Sequence, residues 1–238
     1  MSNRAVVLAG GMGTRLRPYT VVFPKPLMPL GDYPILEVIV RQLAGDGFDH
    51  ITMAVNHQAN LIKAFFGDGE QWQVRIDYSV EPRPLSTIAP LCLIADLPRT
   101  FLLMNGDVLT DLRFDVLYRE HLQSGSVFTV SASKRTHRVD YGVLRTNAAG
   151  GLVGFEEKPS MEYLVSMGVY VVDRSVLSLV PTDQPYGFDH LMLALLARRD
   201  RVNVKLHEGY WLDLGRPDDY AQAVEEFESR KPALLRHG

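Results

Sequence analysis

The chain has 238 residues, of which 46% are hydrophobic and 22% charged, the composition of an ordinary soluble globular protein with enough length for a buried core. Lys and Arg number 25 against 28 Asp and Glu, a net charge of -3 that argues against a nucleic-acid footprint or a membrane surface. No apolar run approaches the roughly 20 residues of a spanning helix. The single cysteine, Cys92, excludes an internal disulfide and a cysteine-held zinc, and it fits a reducing cytoplasm.

In chain order, the apolar run 5–9 ends in glycines and reads as a strand buried on both faces. Pro34 opens a helix whose Ile35, Leu36, Val38, Ile39, Gln42 and Leu43 form an apolar stripe. A strand is expected over 51–55, a helix over 59–66 closed by Gly67, and a strand over 74–80. Residues 101–104 read as another buried strand, 114–123 as a helix and 127–133 as a strand. The rhythm changes near Tyr141: segments 142–145, 152–155 and 165–172 read as strands with little helix between them. Helices return over 189–198 and 217–229, the latter with Asp218 and Asp219 in its first turn, where the helix dipole favours acids. Early α/β alternation followed by hairpins predicts an α/β, doubly wound sheet with an inserted β region. Ligands bind such sheets at the carboxyl ends of the strands.

The strongest chemical signal is Leu8-Ala9-Gly10-Gly11-Met12-Gly13-Thr14-Arg15-Leu16-Arg17-Pro18, directly after the first strand. Glycines allow a tight turn that presents N–H groups to anionic oxygens, and arginines bring forked donors suited to phosphate. The loop lacks the Gly-Lys-Ser/Thr of a P-loop and the spacing of a dinucleotide fingerprint. Lys25 follows between Pro24 and Pro26, which restrict the backbone carrying its ammonium. The seven histidines show no metal-ligand spacing and read as surface or structural residues. Cys92, in the apolar stretch 90–95, reads as a small buried hydrophobe.

Together with Pro-Lys-Pro-Leu-x-Pro at 24–29, this loop resembles that of the sugar-1-phosphate nucleotidylyltransferases, closest in look to the mannose- and heptose-1-phosphate guanylyltransferases. Asn105-Gly106-Asp107, Tyr141-Gly142-Val143, Phe155-Glu156-Glu157-Lys158-Pro159 and Trp211-Leu212-Asp213-Leu214-Gly215-Arg216-Pro217 continue the likeness in order. The resemblance implies a glycosyltransferase-A, Rossmann-like mixed sheet in a single catalytic domain over 1–238, with no left-handed β-helix. It implies that a sugar-1-phosphate oxygen attacks the α-phosphorus of a nucleoside triphosphate and pyrophosphate leaves. Such a displacement requires alignment and charge neutralisation above all.

By the same similarity Arg15, Lys25 and Lys158 are the catalytic cations, and Asp107 and Asp213, each ending a strand-like run, are ligands for Mg²⁺. Leu8, Gly10, Gly11, Gly13, Thr14, Glu81, Thr87 and Asn105 are assigned to the nucleotide, and Tyr141, Gly142, Glu157 and Ser166 to the sugar. The expected partners are the two substrates and, by analogy, further copies of the chain. The nucleotide turn departs from the family pattern, with Ser86 and Ala89 in place of glycines. Glu81 is an acceptor-only group that matches the paired N1–H and N2–H of guanine, which leans the prediction to GTP. Ser166-Met167-Gly168 replaces Asn-Ala-Gly on the sugar side, so a cyclitol or other phosphate stays open beside manno- and heptose-type sugars, as do dTTP, UTP and CTP. A non-catalytic nucleotide-sugar-binding subunit on the same fold is the alternative from another class. The intact set of cations and carboxylates argues for activity.

Overall fold

The computed structural model describes residues 3–11, 13–56, 58–182 and 184–236. Met12, His57 and His237, which belong to the loop and histidine readings above, lie outside the described residues. The strands are β1 (Arg4–Leu8), β2 (Pro29–Leu30), β3 (Tyr33–Pro34), β4 (His50–Val55), β5 (Arg75–Val80), β6 (Thr100–Asn105), β7 (Val108–Thr110), β8 (Phe128–Arg138), β9 (Gly142–Thr146), β10 (Leu152–Glu157), β11 (Ser160–Asp173), β12 (Val202–Leu206) and β13 (Trp211–Asp213). The helices are α1 (Ile35–Gly45), α2 (Ala59–Phe66), α3 (Phe114–Ser124), α4 (Phe188–Arg198) and α5 (Pro217–Leu234).

Seven strands form one mixed sheet in the order β12-β8-β11-β6-β1-β4-β5. Strands β6, β1, β4 and β5 run parallel, and β11 is antiparallel to both of its neighbours. The apolar runs explain the central strands. Ala5 and Val7 of β1 join the cluster under α1, α2 and α5, whereas Val6 joins the opposite cluster with Leu191 and Leu195 of α4. Strand β6 alternates in the same way, Leu102 and Met104 facing one layer and Phe101 and Leu103 the other. Each such side chain withdrawn from water contributes about 1.5–3 kcal/mol, so these strands are fixed on both faces.

The α1 stripe is buried as its spacing predicts, with Pro34 as the N-cap. Gly67 closes α2 with φ +53, a left-handed backbone that glycine adopts readily. The sheet is thus the mixed α/β sheet that the sequence predicts, and none of the described elements forms a left-handed β-helix.

Several boundaries differ from expectation. Strands β8 and β11 extend as far as Arg138 and start as early as Ser160, past the ends of their apolar segments. Strands β2, β3, β7 and β12 were not expected, the strand-like run ending at Asp213 is β13, and α5 continues to Leu234 through Pro232. Cys92 is exposed, correcting its reading as a buried residue: the short 3-10 turn Ala89–Leu93 buries Ala89, Pro90 and Leu91 and leaves the thiol outside. No helix among the described residues is long and apolar enough to cross a membrane.

Candidate active site

Strands β1, β4 and β6 end side by side, and their carboxyl ends open one cleft of about 340 Å³. Leu8, Gly10, Gly11, Glu81, Thr87, Asn105 and Asp107 line it, seven of the residues singled out from the sequence. The strand ends are drawn tight here. The Gly106 N–H donates to the Leu8 carbonyl over 2.9 Å, and a methyl group added at Gly106 would lie 2.9 Å from that same oxygen. A methyl at Gly10 would lie 2.9 Å from Glu81 Oε1, so glycine lets this carboxylate sit against the loop. Burial pushes the Glu81 carboxyl up, partly offset by the Leu85 N–H that donates to Oε2 over 3.2 Å.

Beside the cleft four charged groups converge. Gly13 adopts φ +58, and a methyl there would come within 3.2 Å of Lys25 Cβ, so the loop closes over the lysine backbone. Lys25 is 7% exposed, and its ammonium forms an ion pair with Asp107. Asp213 arrives from 106 positions further along because β13 pairs antiparallel with β7, setting Asp213 opposite Val108. The Leu214 N–H donating to the Asp107 carbonyl over 3.0 Å locks that register. A methyl at Gly215 would lie 2.9 Å from Arg15 Nη2 and 3.2 Å from Asp213 Oδ1, so the guanidinium and this carboxylate border one glycine.

Burial, then the negative charge of Asp107, pushes the Asp213 carboxyl above its ordinary range, against the pull of Lys25 and Arg15. Two crowded carboxylates whose repulsion the local cations do not cancel suit a divalent ion. Among the described residues no group of three or more potential metal-binding side chains gathers.

Thr87 lines the cleft, but its hydroxyl oxygen accepts the Phe188 N–H at the start of α4 over 2.9 Å. Its side chain therefore ties the turn at 81–89 to α4. Ser86 keeps a left-handed backbone, φ +71, although the residue is not glycine. Thr14 begins the 3-10 turn that carries Arg15, and both residues are exposed. Asn56, Pro84 and Ser86 complete the lining; Asn56 and Pro84 were missed as site residues, whereas Ser86 was singled out as a departure in the nucleotide turn. Asn56 directly follows β4, so the rule of strand carboxyl ends already marks it.

The sugar-side residues are separate. Gly142 and Glu157 face one another across the β9–β10 hairpin, and a methyl on Gly142 would lie 3.2 Å from Glu157 Oε2. Tyr141, Gly142, Glu157 and Lys158 are all exposed, and Lys158 carries φ +46. Among the described residues no hydrogen bond or ion pair joins them to Lys25, Asp107 or Asp213. Ser166 sits at the bulge of β11, its hydroxyl 2.9 Å from that of Tyr170 and accepting the Gly168 N–H over 3.3 Å. That bulge abuts the nucleotide cleft. Gly168 has φ +75, and a methyl there would lie 2.6 Å from Asn105 Nδ2. Trp211 Nε1–H donates to the Met167 carbonyl over 3.0 Å, tying the bulge to β13 and Asp213.

The arrangement can hold a polyanion between the glycine loop and two cations, the buried, paired Lys25 and the exposed Arg15, next to two carboxylates. A mannose-1-phosphate guanyltransferase of Emericella nidulans is 33% identical over 227 residues, covering 91% of this chain and 62% of the relative. A UTP–glucose-1-phosphate uridylyltransferase of Synechocystis is 29% identical over 248 residues, covering 96% of this chain and 64% of the relative. The chain thus spans less than two thirds of the length of these curated relatives. Among solved structures, a candidate glucose-1-phosphate thymidylyltransferase of Bacillus anthracis in complex with a sucrose superposes with a TM-score of 0.76 at 22% identity, covering 94% of each chain. HddC of Yersinia pseudotuberculosis complexed with GMP-PN gives 0.70 at 23% identity, covering 94% of this chain and 99% of that one. The model of the nucleotidyl transferase family matches residues 4–230, and the chain belongs to that family.

Proposed function

We propose that the protein transfers a guanylyl group from GTP to a manno- or heptose-type sugar-1-phosphate, releasing pyrophosphate, with Mg²⁺ as cofactor. The observation that carries the reaction is the convergence of Arg15, Lys25, Asp107 and Asp213 at the mouth of the cleft. Gly10, Gly11 and Arg15 hold the departing pyrophosphate, and Lys25, held by Asp107, presents its ammonium to the reacting phosphates. Two polyanions are brought together there, and Lys25 costs little reorganisation because its ion pair with Asp107 already orients it. Asp107 and Asp213 would hold the Mg²⁺, which supplies charge neutralisation at the phosphate oxygens. Glu157 accepts hydrogen bonds from sugar hydroxyls, the Gly142 backbone lies along the sugar, and Lys158 grips its phosphate.

The base preference rests on Glu81. Its carboxylate borders the cleft and, being acceptor-only, complements the paired donors of guanine. Names among the relatives point both ways, guanyl and uridylyl, so the base reading rests on the chain's own residues. A panel of GTP, UTP, dTTP and CTP against mannose-, heptose- and glucose-1-phosphates, read as pyrophosphate release, tests the reading. GTP should lead by tenfold or more in kcat/KM. Equal or better use of UTP or dTTP refutes the base assignment, and absence of turnover across the panel refutes the enzyme. Because burial raises the Glu81 carboxyl, KM for GTP should climb on acidification at a higher pH than an ordinary carboxylate would give.

A further inference from the structure

Strand pairing carries on past the ends of β4 and β5. Val55 is the register partner of Val80, and the Glu81 N–H donates to the Val55 carbonyl over 2.9 Å, so Asn56 and Glu81 leave the sheet side by side. On the other flank of β4 the Ala9 N–H donates to the Ala54 carbonyl over 2.8 Å, which brings Gly10 against the same strand end. A methyl added at Gly10 would lie 2.9 Å from Glu81 Oε1 and 3.5 Å from Asn56 Nδ2. The carboxylate and the amide nitrogen therefore flank one point of the glycine loop. Both residues line the nucleotide cleft and are half-buried.

The loop and the turn decide which way these polar atoms face. Glu81 Oε2 is turned to Leu85, whose N–H it accepts, and this leaves Oε1 on the Gly10 side. Among the described residues no hydrogen bond engages the Asn56 amide, so its N–H donors are free. Along the cleft wall the order is donor, acceptor, acceptor: Asn56 Nδ2, Glu81 Oε1, Glu81 Oε2. Each carboxylate oxygen has two lone-pair sites, so the Leu85 bond does not exhaust Oε2.

We propose that Asn56 is a base-specificity residue that completes, with Glu81, a three-point reader of the guanine edge; this rests on the guanine reading of the cleft. Guanine presents the O6 acceptor beside the N1–H and N2–H donors, the complement of that order. Uracil and thymine present acceptor, donor, acceptor, which sets one carbonyl oxygen against a carboxylate oxygen. Adenine and cytosine place a ring-nitrogen acceptor in the middle, against Oε1. Glu81 alone only repels O6, because a carboxylate has no proton to give it at neutral pH. The Asn56 amide turns that keto oxygen into a contact. A site built to hydrogen-bond a substrate group rejects an analogue that lacks it, because its own polar group is then left unpaired.

The test is titration calorimetry of the full chain with Mg²⁺ and no sugar phosphate, so that no turnover is needed. The probes are GTP, 6-thio-GTP, whose sulfur is a poor acceptor in place of O6, ITP, which lacks the N2 amino group, and UTP. The wild type should bind 6-thio-GTP and ITP about fivefold or more weakly than GTP. Asn56→Ala should bind GTP about fivefold more weakly than the wild type does. It should treat GTP and 6-thio-GTP alike and keep the preference for GTP over ITP, which Glu81 provides. An unchanged melting curve separates lost recognition from lost folding, and the wild-type comparison of analogues needs no variant. A wild type indifferent to the O6 replacement overturns the proposal. So does an Asn56→Ala protein that still disfavours 6-thio-GTP, or one that loses the ITP preference as well. UTP bound as tightly as GTP by the wild type would remove the guanine reading and this inference together. A GTP preference that Asn56→Ala leaves untouched would remove the inference alone.

Discussion

The nucleotide cleft and the β9–β10 hairpin carry parts of one candidate site but are built on opposite principles. The cleft sits at the ends of strands buried on both faces, and Lys25, Asp107 and Asp213 are held there by burial, strand register and ion pairing. The hairpin lies in solvent on both faces, and nothing but its own turn chemistry and cross-strand pairs shapes it. The same substitution therefore means different things in the two regions. In the cleft, chemistry and stability are entangled, because a charge removed leaves a partner in a low-dielectric setting. On the hairpin they are separable, since surface changes seldom move stability by more than about 0.5 kcal/mol.

Asp213→Asn gives the largest expected effect. The folded state raises the Asp213 carboxyl, so it binds that proton more tightly than the unfolded chain does. Its contribution to stability therefore falls as pH rises from the unfolded value through the raised one. The variant should lose pyrophosphate release by about 100-fold or more, while its melting temperature rises at neutral pH and changes little at low pH. Added Mg²⁺ should stabilise the wild type more than the variant. Near-normal turnover would remove Asp213 from the site, and a lowered melting temperature at neutral pH would break the account of its charge.

Glu157→Gln probes the hairpin. KM for the sugar phosphate should rise about tenfold, the equivalent of roughly 1.4 kcal/mol, with the melting curve unmoved. A drop in stability without a change in KM would show that the hairpin is structural. The smallest effect is expected from Ser86→Gly at the cleft's rim. Relief of the left-handed serine should stabilise the protein by up to about 1 kcal/mol in denaturant titrations, with turnover preserved. No stabilisation would mean that the Ser86 backbone is not strained.

Much of this molecule is legible from residue pattern. The central strands and the α1 stripe are, because a short apolar run between turn residues and a 3.6-residue period each point to one type of element. Segment 202–206 alternates Val, Val and Leu with Asn and Lys, a period-two signal for β12 that was present and passed over. Strand β7 carried no comparable signal, being three residues that pair only with β13, whereas the run ending at Asp213 already reads as strand-like. The outer halves of β8 and β11 were hidden for another reason: their polar, exposed residues look like loop, and cross-strand pairing alone extends them. Cys92 was misread because an apolar neighbourhood in sequence does not say which way a 3-10 turn faces.

The sequence by itself determined the identity of the chemical groups and the strands that carry them: the glycine loop with Arg15, Lys25 between prolines, and Asp107 at a strand end. These are local facts, written in neighbouring residues. Only the tertiary structure decided that Asp213 stands beside Asp107, that Lys25 is paired with Asp107, that Thr87 braces α4 and that Asn56 shares the cleft. Such relations depend on strand register and on which oppositely charged or hydrogen-bonding group lies closest, and both are settled across tens to a hundred residues of chain. Packing on both faces of the sheet fixes that geometry, and short-range pattern carries no trace of it.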